Sequence, residues 1–221
     1  IDLLTKGNYS HYEFLGTVEN FFTKCAPAMF MGWSNLNFDS RMLNFNFFKG
    51  NRYPYTTHVS PNQQHDGLHI ARAAQTINSE TLKTELTEAG NPSLALESLS
   101  RMQGFDTSAS HTAYVDAINT LKILRIIKSK HKENWEAFLK TSTKQSVETI
   151  LKSDGIYSIF ENVKGRNMMY LTSTLHPNHS FHPSYTTWGY LWDLRRDPEP
   201  LLNLSVNQLK DVLKKFSPKC L

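Results

Sequence analysis

The sequence predicts an α/β protein in two parts, on three observations. A short apolar run, "AMFMGW" (28–33), stands between two stretches with helical periodicity. Beyond about residue 130 the pattern switches to β-like runs broken by Gly, Lys and Asn. With 39% apolar and 12% aromatic residues among 221, the chain can build the cores such a fold needs. Two domains are therefore expected, 1–130 and 131–221.

Each element follows from local pattern. In "HYEFLGTVENFFTKC" the residues Phe14, Leu15, Val18, Phe21 and Phe22 recur at helical spacing and predict an amphipathic helix. "AMFMGW" reads as a buried strand, and "SNLNFDSRMLNFNFFKG" turns polar and then helical. Asn35 to Asp39 are thus expected at the strand's C-terminal end, the edge of an open α/β sheet where sites form. "RYPYTTHVSPNQQHDG" is rich in Pro, Asn and Gln and reads as a loop, followed by a short helix through "LHIARAAQTI". Residues 79–92 are polar and end in "GNP", a helix stop, and "SLALESLSRMQG" predicts a helix ended by Gly104.

A long helix is expected from Ser110 through "TAYVDAINTLKILRIIKSK", with Ala113, Ala117, Leu121 and Leu124 along one face. "HKENWEAFLKTSTKQSVETILKS" is helical and basic, and "GIYSIFENVKGRNMMYLTSTLHP" shows short strands. An aromatic strand in "SYTTWGYLWDL" and a final helix, "SVNQLKDVLKKF", complete the pattern.

Composition narrows the classes. The formal charge of +4 suits a polyanionic partner without requiring one. Cys25 and Cys220 form no CxxC or Cys/His spacing, which argues against a disulfide scaffold or structural zinc and for a reducing, cytoplasmic setting. No apolar run approaches the roughly 18 residues of a membrane span, and no signal peptide is present. The opening at Ile1, without an initiator methionine, leads us to expect further sequence upstream.

Three residues could carry chemistry. Asp39 follows the first strand, where an aspartate serves as a turn or cap residue or as a ligand. Asp116 is in register with Thr120, Ile123 and Ile127, so its carboxylate is expected to be partly buried. A buried charge must pair with a basic side chain, cap an element or hold a metal. His111 stands near the start of the same helix.

An aspartate at a strand end, then roughly seventy residues later a histidine five places before an aspartate, resembles the second and third motifs of the DEDD exonucleases, histidine subclass. More narrowly, "GWSNLNFD", "YPYTTH", "NPSLALESLSRMQGF", "SASHTAYVDA", "LHP" and "LWDLRRDPEPLLNL" resemble bacterial exodeoxyribonuclease I in the same order, over nearly the whole chain. The resemblance implies a partial ribonuclease H-like exonuclease domain, a partial SH3-like domain, and a helical domain beyond the last residue.

It also implies stepwise 3′-to-5′ hydrolysis of single-stranded DNA to mononucleotides, in DNA repair and recombination. Asp39 and Asp116 would help hold two divalent ions, Mg²⁺ with Mn²⁺ as a substitute, and His111 would be the general base. Tyr55, Arg72 and Lys144 fall where that family contacts DNA. Single-stranded DNA is the implied partner, single-stranded DNA-binding protein a second candidate, and the implied state is a monomer away from membranes.

In that family the remaining two acids form an Asp-x-Glu on the first strand, and none precedes Asp39 here, so this chain alone is expected to be inactive. Other departures are Ser40, Arg41 and Asn44 after Asp39, Ala95 in place of a basic residue, Thr112 in place of an aspartate, and "QHDGLH" (64–69). They affect DNA-gripping positions and keep open a catalytically degenerate single-stranded DNA-binding module. An RNA-directed DEDD nuclease is a further alternative, which the second domain disfavours. His176, His179 and His182 lack a supporting carboxylate, so their segment is expected to be a surface insertion.

Overall fold

A computed structural model describes residues 9–108, 112–153, 155–174 and 189–215. Contacts divide the chain into two compact units, Ile1–Ile150 with Phe160–Met169, and Leu151–Ile159 with Tyr170–Leu221.

The first unit opens with α1 (His11–Cys25). Ser10 closes its start as a capping box: the Ser10 hydroxyl accepts from the Glu13 amide, and the Glu13 carboxylate accepts from the Ser10 amide at 2.7 Å. Of the five predicted apolar residues, Leu15 is buried and Val18 and Phe22 half-buried, while Phe14 and Phe21 face outward. Phe22 meets Phe30 edge-on at 4.9 Å, which seats the helix on β1 (Met29–Gly32).

β1 pairs in parallel with β2 (Gln63–Asp66), Met29 opposite Gln63 and Gly32 opposite Asp66. The segment 52–67 reads as loop in the sequence, so β2 is a correction. Its residues, "QQHD", offer no apolar alternation; pairing and side-chain hydrogen bonds hold it as a strand. Between the strands runs α2 (Asp39–Lys49), and α3 (Gly67–Ile77) follows β2, with Asp66 as its N-cap.

α4 (Leu96–Met102) ends where Gly104 takes a φ of +74° and the Phe105 amide returns to the Ser100 carbonyl at 2.9 Å, as expected of a glycine just past a helix end. α5 (Ala113–Lys130) packs against α3 and α4 through Thr120, Ile123, Leu124 and Ile127, joining Ile70, Ala71, Ala74 and Leu99 in the core. The predicted stripe is therefore wrong in part, since Ala113, Ala117 and Leu121 are exposed. The buried row runs through Thr120, Ile123 and Ile127, beside the predicted one, and of the predicted residues Leu124 alone lies close enough to it to be buried.

The helical stretch after α5 forms α6 (Lys132–Leu139) and α7 (Lys144–Leu151), with a turn at 140–143. His131 joins α5 to α6; it is buried, with Nε2 2.7 Å from the Thr81 hydroxyl.

The three-stranded sheet has the order β3 (Ile156–Val163), β4 (Arg166–Thr174), β5 (Leu191–Asp193), with β4 and β5 antiparallel and Thr172 opposite Asp193. The β3–β4 turn places Lys164 and Gly165 at φ +51° and +83°, the two positive values that a tight hairpin uses. Two helices follow, α8 (Glu199–Leu202) and α9 (Val206–Lys215). Among the described residues, no helix is long and apolar enough to cross a membrane.

Candidate nucleic-acid and metal site

The carboxyl end of the β1–β2 sheet organises the first unit's polar residues. After Gly32 the chain turns sharply, with Ser34 at φ +57°. The turn is held by Asp66, which is fully buried: its carboxylate accepts from the Ser34 amide at 2.8 Å, the Leu36 amide at 3.4 Å and the Leu68 amide at 2.9 Å. Three backbone donors compensate the burial of a charge that would otherwise be costly. The Ser40 amide then donates to the Asn35 carbonyl at 2.8 Å, fixing the first turn of α2. Asp39 is the first residue of that helix and is exposed, an acid where the helix dipole favours negative charge.

Gly67 brings α5 to the same sheet end. A Cβ built there would lie 3.0 Å from the Gly32 carbonyl oxygen, 3.2 Å from the Trp33 ring and 3.5 Å from Thr120 Cγ2. Thr120 thus rests over the termini of both strands. Asp116, one turn earlier on the same face, is half-buried, in line with the sequence expectation. Asp39 thus follows the turn at the carboxyl end of β1, and Thr120, four residues after Asp116, is the α5 residue nearest that end. His111 lies outside the described residues, as do 175–188 with His176, His179 and His182. Among the described residues there is no group of three or more His, Cys, Asp or Glu side chains poised to hold a metal.

Tyr55 belongs to an aromatic row. Its ring meets Tyr53 at 5.7 Å and His58 at 5.3 Å, both nearly edge-on, and both tyrosines are exposed. Partial burial holds the His58 imidazole below the usual histidine range. The row leads to an open cleft of about 720 Å³ lined by His58, Asn62, Gln63, Lys140, Gln145 and Thr149, among others. Lys144, the first residue of α7, stands between lining residues Thr143 and Gln145 and makes a 3.5 Å ion pair with Glu148. Arg72 is half-buried on α3, with its Nε enclosed and without a hydrogen-bond partner.

Sequence reasoning missed His65, Asp66 and Gly67. All three are buried within a segment read as loop. The available signal was an aspartate directly before a glycine and a helical run, which marks a helix cap.

No family model matches the chain. Exodeoxyribonuclease I of Haemophilus influenzae is 24% identical over 182 residues, covering 81% of this chain and 38% of the relative. That of Escherichia coli is 23% identical over 207 residues, covering 90% and 42%. The chain is similar to bacterial exodeoxyribonuclease I. It spans about two fifths of the length of the curated relatives it matches. Among solved structures, E. coli exonuclease I in complex with a dA16 oligonucleotide superposes with a TM-score of 0.73 at 20% identity, over 91% of this chain and 43% of that one. The ExoI/SSB-Ct complex gives 0.74 at 20% identity, over 95% and 45%. The mixed α/β fold is thus that of exonuclease I over the matched region.

Proposed function

We propose that the protein acts on single-stranded DNA as part of a 3′-to-5′ exodeoxyribonuclease of the exonuclease I kind, in cytoplasmic DNA repair and recombination. The observation that carries this reading is the exonuclease I fold over more than nine tenths of the chain, in a chain whose sequence relatives bear that name. In the same reading 1–130 corresponds to the nuclease domain and 131–221 to an SH3-like domain.

Asp39 and Asp116 supply hard carboxylate oxygens, the donors that Mg²⁺ prefers and Mn²⁺ accepts. Divalent ions held there would polarise the phosphodiester and make water easier to deprotonate. His111 accepts the water proton, a task suited to an imidazole with a pKa near 6.5. Tyr55 offers a base its ring face, Lys144 attracts a phosphate, and the half-buried Arg72 adds the positive charge of its guanidinium. The cleft beside His58 receives the strand between them. A relative's complex with an SSB C-terminal peptide motivates single-stranded DNA-binding protein as a partner. In this reading the 221 residues by themselves bind DNA and hydrolyse it slowly at most.

The test is binding and digestion of matched dT, rU and duplex oligonucleotides with and without Mg²⁺. We expect preferential binding of the dT strand, strengthened by Mg²⁺, with little shortening. Equal binding of all three would overturn the reading. Binding indifferent to Mg²⁺ and to Asp39→Asn would favour the degenerate binding module that the substituted contact positions also suggest. Rapid 3′ shortening that Asp39→Asn abolishes would refute the expected inactivity.

A further inference from the structure

Strand β2 is polar at every position, and its side chains divide by face. On one face, Gln64 Nε2 donates to the Ser40 hydroxyl at 2.5 Å, and Asp66 accepts from the Ser34 and Leu36 amides. On the other, Gln63 Oε1 accepts from the Ser142 hydroxyl at 2.8 Å, and His65 Nε2 lies 2.8 Å from the Phe138 carbonyl and 3.2 Å from the Thr141 hydroxyl. His65 Nδ1 accepts from the Asp66 amide at 2.8 Å, which assigns the ring proton to Nε2 and makes it the donor to Phe138. The alternation of a strand, with successive side chains on opposite faces, thus sends even-numbered residues to 34–40 and odd-numbered ones to 138–142.

Both targets immediately precede candidate functional residues. Segment 34–40 presents Asp39, and turn 138–142 leads into Lys144 and forms a wall of the cleft through Lys140 and Thr143. Stability alone does not ask for such a strand, because a short buried strand in an α/β sheet is ordinarily apolar. Each of its four side chains has at least one polar atom bonded to a backbone or hydroxyl group of one of these two segments.

We propose that β2 is a two-faced brace in which Gln64 and Asp66 are positioning residues for the cation-holding side, and Gln63 and His65 are positioning residues for the strand-gripping side. The assignment of the two sides rests on the function proposed above; the bracing does not. It makes the two sides separable by mutation although the residues are consecutive.

The test is a four-variant set in the 221-residue protein: Gln64→Ala and Asp66→Asn for one face, Gln63→Ala and His65→Ala for the other, with His65→Gln as the conservative rescue. Hydrogen exchange reads the bracing directly. The first pair raises exchange in 34–40 and leaves 138–142 protected, and the second does the reverse. Binding reads the consequence, with Mn²⁺ and a dT oligonucleotide as probes. The first pair weakens Mn²⁺ binding about fivefold or more and leaves dT affinity within twofold; the second weakens dT binding by a similar factor, and His65→Gln restores it in part. Exchange rising in both segments for every variant, or both affinities falling together with the melting temperature, would overturn the brace. If the wild type bound neither probe, the function proposed above would fail while the exchange pattern still decided the bracing.

Discussion

Gly67→Ala probes the close approach of the start of α3 to the end of β1. The new methyl carbon would sit 3.0 Å from the Gly32 carbonyl oxygen and 3.2 Å from the Trp33 ring, with Thr120 Cγ2 at 3.5 Å. Two of these three contacts are too close, and the nearest is backbone, which yields less readily than a side chain. Overpacking of this kind costs about 1–3 kcal/mol. The reduced freedom of alanine in the unfolded chain returns about 0.4–1 kcal/mol, leaving a net loss of about 1–2 kcal/mol. For a protein of this size that lowers the melting temperature by about 2–8 °C, read by circular dichroism. Relief requires the start of α3 to move away from the end of β1, which loosens the turn that Asp66 holds before Asp39, so Mn²⁺ affinity should fall as well. A melting temperature equal to or above that of the wild type would refute the close approach.

Tyr55→Ala should weaken dT binding by about 1–3 kcal/mol if a base stacks on the ring, measured by fluorescence anisotropy. Lys144→Ala should lower the slope of log affinity against log salt by about 0.7, the share of one phosphate contact to a single strand. Ile127→Ala removes a fully buried side chain packed among Ile70, Leu99 and Ile123 and should cost about 2–5 kcal/mol in urea denaturation. The Arg195 guanidinium hydrogen-bonded to Asp193 holds that carboxyl down to about 2. Because its folded value lies below the unfolded one near 3.9, the pair's contribution to stability is present above pH 4 and is lost as pH falls from there toward 2. In Arg195→Gln the carboxyl should titrate in the ordinary range by carbon-detected NMR.

Much of the fold is legible in the sequence because helices advertise themselves by period and punctuation. α1, α2 and α4 follow from apolar spacing and from Gly104. Asp116 is legible as half-buried because it shares a face with Thr120, Ile123 and Ile127, although the stripe through Ala113 and Leu121 points to solvent. β2 is not legible, since "QQHD" carries none of the apolar alternation that marks a strand. The same feature hides its chemistry: Gln64, His65 and Asp66 gain their partners only when 34–40 and 138–142 fold beside them, which local pattern cannot express. Asp39 is legible as a residue at a strand end, but the carboxylate of Asp66 that fixes its loop lies 27 positions further on.

The central claim is that Asp39 and Asp116 serve one cation site at the end of the β1–β2 sheet. Paramagnetic broadening by Mn²⁺ in the ¹⁵N-labelled protein tests it most directly. We predict that the Ser40 and Asp116 amides broaden together at the same Mn²⁺ concentration, and that Asp39→Asn removes both effects. Broadening at one amide alone, or at both but unchanged by Asp39→Asn, would contradict the shared site.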